Sequence, residues 1–289
     1  MSSDTILVDV QNIVKTYGPL RAVNDLSFKI LKRPVAEFRQ ANGLSPKHKK
    51  INTPFLYGIS STFLPKPFDY PPDQYFTGFW ISKNGSNLDP EISAFIESSE
   101  SPLLITFGSM PFKSKISISE LAEKIIEKFG IRIILIRAWG VDAGERFRNN
   151  SNVFVADNAP YDALLPKLKA VIHHGGVGTV AECLRAGKPM LICPVLYPVG
   201  DQQFWGKQTF EKRVGVNPLP LSKMKLPVLL KRIEQLLSDS SLYENAEKIA
   251  EKIKKEDGVK NAIQIIEKMV LGELYHAKSL HIFSGMRLF

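Results

Sequence analysis

Between residues 103 and 193 the chain repeats one rhythm, in which a short β-rich apolar run is followed by a stretch with helical spacing and then by another apolar run. The runs 103–107 (LLITF), 131–136 (IRIILI), 153–155, 170–173 and 190–193 (MLIC) have the length and composition of buried strands. Between the first two, Ser117 and Glu120 stand at capping-box spacing. Leu121, Ile125, Ile126 and Phe129 follow at helical intervals, and Gly130 closes the segment. A second helix is predicted over 179–186, ended by Gly187, and a shorter one around 161–165. Successive strands separated by helices need crossover connections, so the prediction is an α/β fold with a parallel sheet covered by helices on both faces. In such sheets ligands bind beyond the carboxyl ends of the strands, which makes the loops there the place to look for chemistry.

After Pro194 the pattern turns helical, with helices expected near 203–212, 227–237, 241–255 and 259–271 and no strand of any length. The first eighty residues differ. Strands are expected over 6–14 and 26–30, while the proline-rich stretch 63–72 cannot form a regular helix. With 289 residues and 44% apolar content, the chain has ample material for a core. Lysine plus arginine number 38 against 29 acidic residues, a formal net charge of +9, which favours anionic partners. These cations are scattered rather than gathered into a stripe, so a nucleic-acid partner is not expected. Two cysteines without a CxxC pair indicate neither a disulfide framework nor a zinc site, and no apolar run is long enough to span a bilayer. The expected location is the cytoplasm.

The most informative loop is His173-His174-Gly175-Gly176-Val177-Gly178-Thr179, between a predicted strand and a predicted helix. Glycines admit close approach of a ligand to the backbone, and a helix start offers unpaired N–H groups with a positive dipole end, a combination suited to phosphate. The segment matches neither GxGxxG nor GxxxxGK[ST], which argues against the usual dinucleotide and ATP sites. Glu182 lies one helical turn beyond Thr179 and is either an acceptor for a diol or an ordinary surface glutamate. Asp201 and Gln202 precede Phe204 and Trp205; they suit a clamp for sugar hydroxyls, and equally an ordinary helix N-cap.

HHGGVGT, AECLRAGKPMLICPV and DQQFWG, in that order and spacing, resemble the donor-binding half of glycosyltransferases that use nucleotide-activated sugars, in the branch that includes sterol 3-beta-glucosyltransferases. LPKPFDYPPDQYFTGFW, ITFGSM, LLPKLKAVIHHGG and EKIKKEDGVKNAIQIIEK extend the similarity over about residues 33–270. The resemblance implies a Rossmann-like parallel sheet, the C-terminal donor half of a GT-B enzyme. It implies a UDP-hexose as co-substrate, no metal or other cofactor, and inverting transfer to a lipid-like or sterol-like hydroxyl. Carried over by position, His174 lies beside the nucleotide phosphates, Gly176, Gly178 and Thr179 form the turn that cradles them, and Ser109 approaches from the first strand. Glu182 takes the ribose, Asp201 and Gln202 hold the sugar hydroxyls, the loop 158–161 lies against the uracil, and Trp139 is a candidate pocket wall. His173 is expected to be a packing residue.

The family's acceptor-side histidine has no counterpart among His48, His173, His174, His276 and His281, so no catalytic residue is assigned. The expected organisation is therefore a leader over 1–32, a remnant of an acceptor domain and linker over 33–100, the donor domain over 101–271 and a tail over 272–289, with the acceptor domain missing. The leader resembles the opening strands of an ATP-binding cassette ATPase, with Tyr17 at the adenine-stacking position but no phosphate loop after it. An alternative reading is a non-catalytic nucleotide-sugar module that needs a separate acceptor-domain protein. With 55–80 read as the last piece of the missing acceptor domain, Phe55, Leu56, Tyr57, Phe63, Leu64, Phe76, Phe79 and Trp80 are expected to need a substitute partner or to lie exposed. Peripheral attachment to a membrane carrying the lipid acceptor is a further expectation.

Overall fold

The computed structural model describes residues 40–43, 55–81, 85–108, 117–137, 144–147 and 150–270, together with the backbone of four short strands before residue 31. By contacts the chain divides into two compact units, one of residues 1–57 and 64–76, the other of residues 58–63 and 77–289.

In the first unit β1 (Val8–Asp9) pairs antiparallel with β4 (Lys29–Ile30), and β2 (Lys15–Tyr17) pairs antiparallel with β3 (Leu20–Val23). β5 (Phe55–Tyr57) runs parallel to β6 (Gln74–Phe76), and between them Tyr57, Tyr70 and Phe76 form a ring cluster with centroids 5.2–5.8 Å apart. The apolar residues singled out before residue 81 divide in their fate: Phe63, Leu64 and Phe79 are buried, whereas Phe55 and Trp80 are more than half exposed.

The second unit is the α/β domain. It begins with α1 (Pro90–Glu97), capped by the Asp89 carboxylate, which accepts the Glu91 N–H. Six strands then build a single parallel sheet: β7 (Leu103–Thr106), β8 (Ile133–Ile136), β9 (Val153–Ala156), β10 (Ala170–His173), β11 (Met190–Ile192) and β12 (Gly215–Val216). Their order across the sheet is β12-β11-β10-β7-β8-β9. The first three strands are laid outward from the centre in one direction, and the chain then crosses back to lay the other three outward in the opposite direction. The reversal falls between β7 and β10, whose ends Thr106 and His173 are register partners. A crevice opens there because the connections leaving these two strands diverge to opposite sides. Leu103, Leu104, Ile105, Ile133, Ile134, Ala170, Val171, Ile172, Met190, Leu191 and Ile192 have no exposed surface, as expected for strands covered on both faces.

Local signals set the helices. α2 (Ile118–Phe129) starts where Ser117 Oγ accepts the Glu120 N–H and ends at Gly130 in the left-handed region at φ 63°. α3 (Gly144–Phe147) and α4 (Tyr161–Leu164) are short, while α5 (Val177–Ala186) follows the glycine turn and stops at Gly187, φ 68°. α6 (Gln202–Glu211), α7 (Leu226–Ser238), α8 (Ser240–Ile253) and α9 (Gly258–Val270) complete the domain. The expectation of no strand beyond Pro194 is corrected by β12, two residues that add to the sheet beside β11. Stretch 63–72 contains no regular helix, as its prolines require. Cys183 and Cys193 are buried free thiols. Among the described residues no helix is long and apolar enough to cross a membrane.

The start of α9 is clasped to segments 58–63 and 77–81. Ser60 Oγ and Thr62 Oγ1 donate to Glu256 Oε1 at 2.7 and 2.6 Å, and Asn261 Nδ2 donates to the Thr77 carbonyl at 2.9 Å. Phe63, in the same segment, stacks on the Trp205 ring with centroids 6.5 Å apart and planes inclined by 25°.

Candidate functional site

The loops leaving β7 and β10 bring the glycine turn to the switch point of the sheet. His173 ends β10 with no exposed surface, and its Nδ1 accepts the Gly175 N–H at 3.2 Å. Its Nε2 therefore carries the hydrogen, directed at Met190 Sδ 3.5 Å away. The expectation of a packing residue holds, with an addition: this ring also fastens the turn. Gly175, at φ +95°, is where the backbone reverses, and a Cβ there would sit 2.6 Å from Ile192 Cγ2 and 3.1 Å from the Gln202 carbonyl.

His174 points the other way, into the crevice. Its ring is wedged between Gly108 and Gly176, where added Cβ atoms would lie 3.0 Å from Cε1 and 2.6 Å from Nε2. Among the described residues its Nδ1 is buried without a hydrogen-bond partner. Burial pushes this imidazole below its ordinary range and the Asp201 carboxylate pulls it partly back, so the ring is neutral near pH 7.

Gly176 is the N-cap of α5, and no side chain caps that end. Among the described residues no side-chain cap bond therefore covers the leading N–H groups of the helix, where its positive dipole end lies. Gly178 is exposed, with open space around the position a Cβ would take, and Thr179 is half-buried beside it. His174, Gly176, Gly178 and Thr179 thus all lie in the turn from β10 into the first turn of α5.

Glu182 is one turn further along and is no free surface glutamate: Arg185 Nη2 lies 2.9 Å from its Oε2. Burial raises the carboxyl's pKa and Arg185 opposes that rise. Asp201 stands as N-cap of α6 but makes no capping bond; its Oδ2 accepts the Trp205 indole N–H at 2.9 Å. Gln202 is buried, and its Oε1 accepts the Val195 and Leu196 N–H groups at 2.8 and 2.9 Å, so this oxygen anchors the loop after β11. Asn158 is exposed, while Tyr161 turns inward to share a 3.0 Å hydrogen bond with Thr106 Oγ1 at the end of β7. Ser109 and Trp139 lie outside the described residues.

Three residues that shape this site escaped the sequence reading of its roles. Gly108 makes room for His174, Arg185 holds Glu182 and Trp205 holds Asp201. The last two stand three and four positions from their partners, the helical spacing at which side chains meet, and that signal was available.

Residues 141–269 match the model of the erythromycin biosynthesis protein CIII-like C-terminal domain. A sterol 3-beta-glucosyltransferase of Arabidopsis thaliana is 35% identical over 245 residues, covering 84% of this chain and 37% of that protein. The chain is similar to the C-terminal half of UDP-glycosyltransferases. An O-mycaminosyltylonolide 6-deoxyallosyltransferase of Streptomyces fradiae is 31% identical over 243 residues, covering 81% of this chain and 55% of the other. The solved glycosyltransferase of kitacinnamycin superposes with a TM-score of 0.65 at 19% identity, over 82% of this chain and 61% of that one, which establishes the GT-B fold. The chain thus spans about a third to a half of the length of these two curated relatives, and its likeness is to the family's C-terminal half.

Proposed function

We propose that the crevice between β7 and β10 binds a UDP-hexose, the diphosphate lying at the open end of α5 beside His174. The sugar is then donated, with inversion, to a lipid-like or sterol-like hydroxyl. The observation that carries this reading is, among the described residues, a helix N-terminus at the switch point without a side-chain cap, flanked by a buried imidazole nitrogen without a partner and by a glycine with open space at its Cβ position. Phosphate oxygens would accept from the leading N–H groups and from Thr179, and the neutral His174 is placed to donate to or accept from the donor. Glu182 and Asp201 are the carboxylates within reach of ribose and hexose hydroxyls, each already oriented by a neighbour. Gln202 holds the loop that carries Asp201, and Ser109 stands after the first strand. The reading invokes no metal ion. The two curated relatives are a glucosyltransferase and a 6-deoxyallosyltransferase, and both groups are six-carbon sugars.

The acceptor's hydroxyl must lose a proton, and none of the described residues is assigned that task. A second reading, which rests on that unassigned proton transfer, is a donor-binding module that works with a separate acceptor-domain protein. Turnover by the isolated chain in a transfer assay eliminates the module reading.

Calorimetric titration with UDP-glucose tests the donor site. Thr179→Ala and Asp201→Ala should each weaken binding by about 1–3 kcal/mol, the usual loss when a hydrogen bond to a polar or charged ligand group is removed. No heat of binding with the intact chain would reject the reading. Gly178→Ala separates ligand space from protein structure: with no heavy atom near the new methyl, the fold should hold or gain up to about 0.5 kcal/mol from helix propensity. UDP-glucose affinity should nevertheless drop, because the methyl occupies the approach to the helix end. Unchanged affinity in a folded Gly178→Ala variant would place the diphosphate elsewhere.

A further inference from the structure

The loop of residues 194–200 leaves the carboxyl end of β11 and returns to α6. Its tip carries Val199, 76% exposed, and Leu196, 44% exposed, on a surface where neither is needed for the core. Between them in sequence stands Tyr197. Lys223 Nζ sits 4.4 Å from the Tyr197 ring centroid and 2.9 Å from its phenolic oxygen. Lys207, exposed on α6, is also close enough to act on that phenol electrostatically. The acid at the loop's end is Asp201, whose Oδ2 is engaged by the Trp205 indole.

Two aliphatic side chains, an amphipathic ring and two cations form a small patch, too small for a stable protein interface, which needs on the order of 1,000 Å². A lipid surface asks for less: a few apolar side chains to enter the acyl boundary, a tyrosine at headgroup depth, and lysines that reach anionic phosphates while their stems lie along apolar surface. We propose that the 196–199 tip is a docking element for an anionic phospholipid surface, with Leu196 and Val199 inserted and Tyr197, Lys207 and Lys223 at the headgroups. The net charge of +9 adds long-range attraction to such a surface.

The loop is tied to the donor site. Its Val195 and Leu196 N–H groups are held by Gln202 Oε1, and it ends at Asp201. Docking at the tip brings a lipid hydroxyl to the side of the crevice where the hexose is held, a functional meaning that rests on the UDP-hexose reading above.

Flotation of the full chain with phosphatidylcholine vesicles, with and without phosphatidylserine, tests the proposal. The wild type should float with the phosphatidylserine-containing vesicles. Val199→Asp should reduce partitioning about tenfold, and Lys207→Glu with Lys223→Glu should remove the dependence on phosphatidylserine. Val199→Ser provides a milder second variant, and thermal melting establishes that each variant is folded. UDP-glucose titration of Val199→Asp should match the wild type, since Val199 has no part in the donor site. Wild-type chain that stays in solution overturns the proposal, as does equal partitioning of Val199→Asp. A wild-type dimer that Val199→Asp dissociates, without vesicle binding by either, also overturns it, in favour of a protein partner. Vesicle binding without UDP-glucose binding would sustain the docking surface while rejecting the donor reading, so the two failures are distinct.

Discussion

Gly175→Ala is expected to lower the free energy of unfolding by about 2–5 kcal/mol, the largest effect of any single methyl group in the glycine turn. Two costs add. The residue sits at φ +95°, a conformation that L side chains rarely adopt and that costs about 1–3 kcal/mol when imposed. The new Cβ would also lie 2.6 Å from Ile192 Cγ2 and 3.1 Å from the Gln202 backbone oxygen, so β11 and the start of α6 must both retreat from a packed position. Gly176→Ala provides the contrast. Its φ is −61°, so no backbone strain arises, and its Cβ would meet the end of the His174 ring, 2.6 Å from Nε2. That ring can swing into the crevice at a smaller cost to folding, but it then leaves its place beside the proposed diphosphate. Urea unfolding and UDP-glucose titration of both variants should therefore show Gly175→Ala losing mainly stability and Gly176→Ala losing mainly affinity. The reverse pattern would show that the turn is not built as described.

That contrast marks what could and could not be read from the chain. Ser117 with Glu120, Gly130 and Gly187 are local signals, each acting within a few residues, and the helices start and stop where they stand. The apolar runs of the first five strands are equally local, because a strand covered on both faces must be apolar along its length. Strand order is not local: it depends on the chain crossing the sheet after β9, and nothing within 153–173 states which edge it crosses to. β12 has only two residues, follows Arg213 at φ 53°, and becomes a strand only because β11 is there to pair with it. The site divides in the same way. The glycine turn and the residues around it were legible from composition and from resemblance. The inward use of Gln202, whose oxygen secures the loop before its own helix, was not, because a glutamine in a first helical turn gives no sign of which way it faces. The two histidines are adjacent and chemically identical in sequence; His173, the last residue of β10, is buried in the core, whereas His174, the first residue past the strand, is wedged between Gly108 and Gly176.

His173 makes the fold acid-sensitive, and the size of that sensitivity is the second large effect expected. Burial, and to a lesser degree the neighbouring His174, pushes its imidazole down to about 3 from an ordinary value of 6.5. Above pH 6.5 the ring is neutral whether the chain is folded or not, and it costs nothing. Below that, the unfolded chain takes up a proton that the folded chain refuses, so stability is lost as pH falls from 6.5 towards 3, at about 1.4 kcal/mol per pH unit. The loss has a definite structural target. Protonated Nδ1 would turn a donor towards the Gly175 N–H that it now accepts, so acid opposes the bond that fastens the turn beneath the proposed diphosphate site. His173→Asn tests this, since its carbonyl oxygen can still accept from Gly175 and the side chain does not titrate. The variant should be less stable than the wild type at pH 7.5, having lost ring packing in the core. By pH 4.5 the gap should have narrowed by about 2–3 kcal/mol, because only the wild type loses the His173 linkage. A stability difference that stays constant over that range would mean that His173 takes up its proton as readily in the fold as in the open chain.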